Sequence, residues 1–151
     1  MSRFRRIEDG AVRLDLPPEE RALLLEVARG LQELLAEGDA DPGVKRLFPS
    51  AHEDPELDRE FRDLTDRQLR TNREEALAVV QRTVESEALS EEEADAWLRA
   101  LNDARLVLGT RLELTEDFDW DGFDPEHPDA EELALYAYLS WLQEQFLDVT
   151  R

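Results

Sequence analysis

Three aspartates at alternate positions, Asp117, Asp119 and Asp121, have the spacing in this chain that comes closest to a site for chemistry. Together with Gly122 they reproduce the first half of a calcium-binding loop, in which spaced carboxylates and a mid-loop glycine wrap the cation. The second half departs from that pattern, because Pro128 stands where a bidentate Glu is required. We therefore keep the aspartates as weak candidates for divalent-cation binding, and we expect a solvated acidic loop with no resident metal or cofactor.

The acidic segment around these aspartates dominates the charge of the chain. Ten carboxylates and no Lys or Arg lie between Glu113 and Glu132, and the whole protein has a formal net charge of −20. A surface of this sign repels nucleic-acid phosphates and anionic lipid headgroups. Spaced acids that alternate with Phe118, Trp120 and Phe123 also suit a docking surface for a basic partner. Direct nucleic-acid binding is therefore disfavoured, and a protein partner of unknown identity is expected.

Other chemical motifs are missing from the sequence. The chain has no cysteine, which excludes disulfides, thiol nucleophiles and thiolate metal sites. His52 and His127, its two histidines, lack the spacing of zinc or di-iron sites on helices. No apolar run approaches the ~20 residues of a membrane span, and the N-terminus lacks the apolar stretch of a secretory signal. We therefore expect a cytoplasmic protein without enzymatic activity and without a membrane partner.

A second group of polar residues falls on the helix predicted before the acidic segment and on the last helix. Asn102, Arg105 and Gly109 recur at spacings of three and four, so they share roughly one side of a helix. Glycine inside a helix costs about 1 kcal/mol relative to alanine, and a close approach of another backbone would explain Gly109. The polar cluster that we single out comprises Asn102, Arg105, Arg111, Gln143 and Glu144. It is either an internal polar network or a site for a ligand or partner.

The last predicted helix is apolar on two faces and rich in aromatic residues. A helix that is apolar nearly all round is normally central in the core. It can instead form a dimer or partner contact, where Tyr and Trp are enriched. For that alternative, the interface residues that we select are Tyr138, Trp141, Leu142 and Phe146. A homodimer through this helix is one form that the contact could take.

Periodicity, turn residues and capping patterns place these groups on a mostly α fold. They predict a β-hairpin over residues 3–16 around Asp9-Gly10, a dipeptide that favours a tight type I′ turn. Residues 38–53 are predicted as a connector, anchored by Leu47 and Phe48. We expect one domain over 1–151, a compact bundle of four or five helices with the short N-terminal hairpin packed against it.

The helices themselves are predicted from apolar periodicity and from their start and stop residues. The predicted ranges are 17–37, 55–64, 66–87, 91–112 and 130–148, with 113–129 as the acidic loop. Residues 65–68 carry a capping pattern and a change of apolar phase, which predicts a kink or a break between two helices there. Ser90 and Glu93 form a second capping pattern at the start of the fourth range.

Three stretches of the chain resemble a known family. They are Phe4-x-Arg6 followed by Asp9-Gly10, the run from Leu101 to Leu112, and Tyr138-Leu139-x-Trp141-Leu142-Gln143-Glu144. These stretches resemble the domain-of-unknown-function family numbered twenty-seventeen, which is found in actinobacteria and often encoded beside the Clp protease adaptor ClpS. The resemblance implies a small helical protein with no established activity, and some members carry a regulatory or transcription-related label. A cysteine-based redox switch cannot operate in this chain.

The function that the sequence favours is that of a non-enzymatic cytoplasmic regulatory or interaction protein, which acts through protein–protein contacts. One alternative is a transcription regulator that contacts a sigma factor or RNA polymerase, since the net charge of −20 disfavours base contacts. The other alternative is a weak binder of a divalent cation or a small ligand.

Overall fold

Helices make up most of the described chain. The computed structural model describes residues 2–37, 41–47, 59–113 and 125–150, and in these ranges it has five α-helices and three short strands. The helices are α1 (Pro18–Ala36), α2 (Pro42–Arg46), α3 (Arg59–Thr83), α4 (Glu91–Arg111) and α5 (Ala130–Thr150). The predicted mostly α fold, with an antiparallel strand pair before the helices, is confirmed.

The predicted hairpin supplies two strands of a three-stranded antiparallel sheet. Strand β1 (Phe4–Arg6) pairs with β2 (Val12–Leu14), and β2 also pairs with β3 (Ala88–Leu89), which immediately precedes α4. Sequence patterns do not predict β3, because two residues are too few to show alternation. The sheet therefore joins the start of the chain to the junction between α3 and α4.

The hairpin turn is longer than the two residues that Asp9-Gly10 predicts. The backbone N–H of Ile7 donates to the carbonyl of Ala11 at 2.9 Å, and Glu8–Gly10 form one 3₁₀ turn between them. The positive φ that the dipeptide favours is present at both positions, 63° at Asp9 and 75° at Gly10. The residue types therefore predict the positive φ angles correctly, but the predicted two-residue length of the turn is wrong.

Helix α3 is continuous across residues 65–68. Of the two predicted alternatives, the break is therefore wrong, and the kink stays a prediction. The side chain of Leu64 is 64% exposed, whereas Ala76, Leu77 and Val80 are buried. Leu64 therefore lies on no core-facing stripe of α3. Helical main-chain hydrogen bonds prevail over the local capping pattern there. The helix ends at Thr83, before the predicted 87, because the chain turns into β3.

A short helix, α2, lies inside the predicted connector. The side chain of Asp41 accepts hydrogen bonds from the N–H groups of Gly43 (2.7 Å) and Val44 (3.3 Å), and Pro42 occupies the first helical turn. A Cβ on Gly43 would lie 2.8 Å from the carbonyl oxygen of Val107, so α2 needs glycine to approach α4 this closely. Leu47 is buried as predicted, while Phe48 lies outside the described residues.

Helix α4 starts where the sequence predicts, and a buried tryptophan follows its first turns. Ser90 and Glu93 form the predicted reciprocal capping box. The fully buried indole of Trp97 donates to Thr83 Oγ1 at 2.8 Å, which satisfies its one polar group. Within the described ranges, no helix combines the length and the apolar character needed to cross a bilayer.

One guanidinium connects three segments of the fold. Arg21, in the first turns of α1, donates to the carbonyls of Val84 (2.7 Å) and Ser86 (2.8 Å), between α3 and β3. It also donates to the carbonyls of Leu16 (2.9 Å) and Leu14 (3.1 Å), where β2 leads into α1. Five N–H donors in a planar fork allow one side chain to make all these bonds. The junction therefore depends on a single residue.

Replacing Arg21 by methionine keeps an unbranched side chain but removes every donor. We expect the free energy of unfolding to fall by about 3 kcal/mol, because four carbonyl oxygens lose a charged partner. Urea denaturation followed by circular dichroism measures this change. The control Arg29→Met, at an exposed position of the same helix, should change stability by less than about 0.5 kcal/mol. Equal losses in the two variants would contradict the assignment.

Candidate functional site

Helix α5 packs at one side of the bundle, where it contacts α4 and β1. Four of its residues are buried, and they include Leu142 and Phe146, both with 0% exposure. The Phe146 ring meets Phe4 of β1 edge-on, with 4.5 Å between ring centroids. Leu142 and Phe146 therefore belong to the core, and this corrects their selection as interface residues. Of the other two selected residues, Tyr138 is partly buried against the core and Trp141 is exposed to solvent.

Trp141 is an exposed aromatic side chain in a fixed setting. Its exposure is 42%, and the guanidinium carbon of Arg3 lies 5.4 Å from its ring centroid. This distance suits a cation–π contact. The ring of Tyr138 lies beside it at 6.1 Å between centroids. Part of the indole of Trp141 is therefore exposed to solvent, while Arg3 and Tyr138 pack against it.

The neighbours of Trp141 are held by a charged network. Arg3 Nε donates to both carboxylate oxygens of Glu20 at 3.1 Å, and Nη2 lies 3.0 Å from Oε2. The hydroxyl of Tyr138 donates to Glu20 Oε1 at 2.7 Å, and the backbone N–H of Arg3 donates to Gln145 Oε1 at 2.8 Å. We call Arg3, Glu20, Tyr138, Trp141 and Gln145 the Trp141 surface. Sequence patterns could not reveal Arg3 and Glu20 as members, because their partners are distant along the chain.

The ionisation of this network suits binding more than catalysis. Burial raises the pKa of Glu20, but the hydrogen bonds from Arg3 and Tyr138 outweigh that effect and hold the pKa below its ordinary value. Burial and the adjacent Glu20 carboxylate raise the pKa of Tyr138. Glu20 is thus an ionised acceptor and Tyr138 a protonated donor at neutral pH. Neither group is tuned to exchange a proton near that pH.

The predicted polar cluster divides into separate parts. Asn102 Oδ1 accepts from Gln143 Nε2 at 3.4 Å and from Arg105 Nη2 at 3.5 Å, both at the long limit of a hydrogen bond. Arg111 lies elsewhere and pairs with Asp41, the N-cap of α2, at 2.9 Å. Glu144 is exposed. The structure therefore brings together three of the five predicted residues.

The seam between α4 and α5 around Asn102 is loosely paired. Within the part of the chain that the structure describes, Arg105 Nε, Ser140 Oγ and Gln143 Oε1 are buried without a hydrogen-bond partner. Such groups cost about 1–3 kcal/mol each. Close to this seam, a Cβ on Gly109 would lie 3.0 Å from the ring of Tyr136. Gly109 thus accommodates a side chain of α5, and the expected backbone neighbour is wrong.

A partly buried ion pair between Arg73 and Asp103 has no counterpart among the predicted sites. Arg73 Nη1 lies 2.7 Å and 2.8 Å from the two carboxylate oxygens of Asp103, and Arg73 Nη2 donates to the carbonyl of Leu47. Burial raises the pKa of Asp103, although Arg73 opposes that shift. Because the pair links α3 and α4 to the end of α2, we assign it a structural role.

The calcium-loop aspartates, Asp117, Asp119 and Asp121, lie outside the described residues. Their prediction as weak metal candidates therefore stays a prediction. Among the residues that the structure does describe, no group of three or more His, Asp or Glu side chains could hold a metal ion.

Comparisons with known proteins identify a family and nothing further. A family model described as "Domain of unknown function (DUF2017)" matches residues 1–150, which confirms the resemblance seen in the sequence. No curated protein and no solved structure matches the chain.

The lowered pKa of Glu20 predicts how the network responds to acid. Its stabilising contribution is present above the ordinary value of 4.5 and is lost as pH falls through the lower folded-state value. We expect Glu20→Gln to lower the free energy of unfolding by about 1 kcal/mol at neutral pH, and we expect this loss to shrink as the pH falls below 4.5. Urea denaturation across this pH range measures it. The control Glu19→Gln, at an exposed neighbouring position, should leave the free energy of unfolding almost unchanged at every pH in this range.

Proposed function

The chain belongs to the DUF2017 family, whose description names no activity, and from that premise we propose that it is a non-enzymatic regulatory protein acting through protein–protein contacts. The Trp141 surface is its contact site. The partner is a protein of basic or mixed charge, since the net charge of −20 attracts positive surfaces and repels anionic ones. A cytoplasmic location is part of this proposal.

The observation that carries the proposal is the setting of Trp141. Tryptophan, tyrosine and arginine are the residues that most often dominate binding energy at protein interfaces. Here Trp141, Tyr138 and Arg3 lie together, and the hydrogen bonds of Glu20 fix two of them before any partner arrives. A preorganised aromatic surface loses little side-chain entropy on binding. This small entropic cost favours recognition of a partner at the Trp141 surface.

The chemistry of the described residues supports binding over catalysis. Their most buried carboxylate, on Asp103, is bound by Arg73, and the ionised Glu20 is bound by Arg3 and Tyr138. A general base or nucleophile needs an accessible group with a matched pKa. These carboxylates serve as acceptors in structural pairs, which favours a protein without a reaction of its own.

The narrower alternative is a transcription regulator that contacts a sigma factor or RNA polymerase. The net charge of −20 favours contact with a basic protein over contact with DNA phosphates. A homodimer through α5 is another form of the proposal, with Trp141 buried between two copies. A weak cation or small-ligand site, at the calcium-loop aspartates or around Asn102, is the remaining alternative.

Trp141→Ala tests the contact site directly. The assay is affinity capture from native lysate, with the captured proteins identified by mass spectrometry. We expect Trp141→Ala combined with charge reversal at Asp119 and Asp121 to abolish the capture of specific partners. The single variant Trp141→Ala should reduce capture at least about tenfold, the loss of about 1.4 kcal/mol expected at least for an interface anchor. Circular dichroism should show an unchanged fold, because the side chain is 42% exposed.

Leu64→Ala is the matched control, since Leu64 is a large apolar residue with 64% exposure on α3. Its capture should equal that of the unaltered protein. Undiminished capture by a folded Trp141→Ala variant would remove the Trp141 surface as the contact site.

Calorimetric titration with calcium tests the cation alternative. Because the loop pattern lacks its bidentate Glu, we expect no heat of binding beyond dilution at millimolar metal. A saturable isotherm that Asp119→Asn abolishes would instead support a cation site at the calcium-loop aspartates.

A further inference from the structure

Helices α1, α4 and α5 line an open groove of about 320 Å³. Its floor is formed by the buried side chains of Leu31, Ala104 and Leu139, and the partly buried Leu34 and Leu108 form its walls. Trp141 does not line this groove, so the groove is a second feature, separate from the Trp141 surface. An apolar trough bordered by three helices has the form of sites that accept one more helix.

Gly30 gives this groove its most informative feature. It lies in the middle of α1, where glycine weakens a helix, and it lines the groove. Among the described residues, nothing comes within 4 Å of a Cβ built at this position. Gly43 and Gly109, in contrast, are each explained by a close neighbour at 2.8 Å and 3.0 Å. No neighbour in the described chain therefore explains why this position lacks a side chain.

The border of the groove carries negative charge. Glu33 and Glu37 of α1 line it and are exposed. Among the described residues that line the groove, the basic one is Arg111, which is bound to Asp41 at 2.9 Å. The carboxylates of Glu33 and Glu37 therefore remain available to a positive group, in a protein that carries a net charge of −20.

We propose that the groove docks an amphipathic helix of a partner protein, whose apolar ridge enters the trough while its Lys or Arg side chains meet Glu33 and Glu37. The missing side chain of Gly30 lets the backbone of the incoming helix approach α1 closely. This docking rests on the proposed function, since it names a second contact for a protein that acts by binding proteins.

Charge favours this occupant over two others. A second copy of this chain brings another net charge of −20 against the same acidic border, and residues 114–124 carry five carboxylates and no base. Like charges at close range disfavour both. The open form of the groove also leaves much of a small molecule in water, whereas small-ligand sites bury most of the ligand surface.

The test uses a synthetic peptide of about five helical turns, with leucines on one face and lysines on the other, carrying a fluorescein label. Fluorescence anisotropy at physiological ionic strength measures its Kd for the whole protein. We expect saturable binding that Gly30→Leu weakens at least about tenfold, because the new side chain fills the trough. The same variant should have a Tm no lower than the unaltered protein, because Leu favours helix and meets open space. Gly30→Ala should weaken binding much less.

Charge is tested separately from shape. Glu33→Lys with Glu37→Lys should also weaken binding about tenfold. The control pair Glu19→Lys with Glu26→Lys makes the same change of net charge at exposed sites of α1 outside the groove, and should have a much smaller effect. A peptide of the same composition with its leucines scrambled around the helix should bind weakly to every variant.

Several results would overturn the docking proposal. Equal binding of the scrambled peptide, or binding that Gly30→Leu leaves unchanged, would reduce the interaction to general attraction of opposite charges. Tighter peptide binding by Phe118→Ser with Trp120→Ser would assign the groove to residues 114–124. A dimer in light scattering that Gly30→Leu dissociates would assign it to a second copy. Lysate capture lost with Trp141→Ala but kept with Gly30→Leu would remove this proposal and leave the proposed function standing.

Discussion

The guanidinium of Arg21 occupies the place where the helical and strand parts of the molecule meet. Strands and helices satisfy their own backbone groups, but the residues that link them do not, and buried carbonyls without a partner are costly. One side chain supplies donors to the carbonyls of Leu14, Leu16, Val84 and Ser86. Strand β3 has only two residues and would be a weak edge on its own. Arg21 bonds both to the segment that precedes β3 and to the end of β2, so it stabilises the pairing of these two strands.

The position of the Trp141 surface follows from this junction. Because β2 is fixed by Arg21 and β3, its other neighbour β1 has a defined place, and Arg3 precedes the first residue of β1. From there Arg3 reaches Glu20 of α1 and lies over the ring of Trp141. The proposed contact site is thus built from the two ends of the described chain, on a sheet whose register leaves little freedom.

Local sequence patterns correctly predicted the features that depend on residues close together in the chain. The long helices, the capping box at Ser90 and the positive φ of Asp9 each depend on residues close together in the chain. The elements missed were α2 and β3, which are too short to show a period. The continuity of α3 was missed because the apolar pattern treats Leu64 as a core residue, whereas its side chain is 64% exposed.

The candidate site was predicted only in part for a related reason. Helix α5 carries apolar residues on more than one face, so its sequence alone does not show which face packs against the bundle. Tyr138, Leu142 and Phe146 share a face by their spacing, yet the hydroxyl of Tyr138 reaches Glu20 at the border while the other two are fully buried. Pairs such as Arg3 with Gln145 join residues 142 positions apart, and no local pattern encodes them.

That separation also has a consequence for synthesis. Phe4 is synthesised 142 residues before the ring it packs against, Phe146, which is added only when α5 is made. At translation rates of roughly 5–20 residues per second, several seconds pass between the synthesis of Phe4 and that of its aromatic partner. Helix α5 therefore completes the packing around Phe4, and a chain that stops before α5 would lack the aromatic partner of this residue.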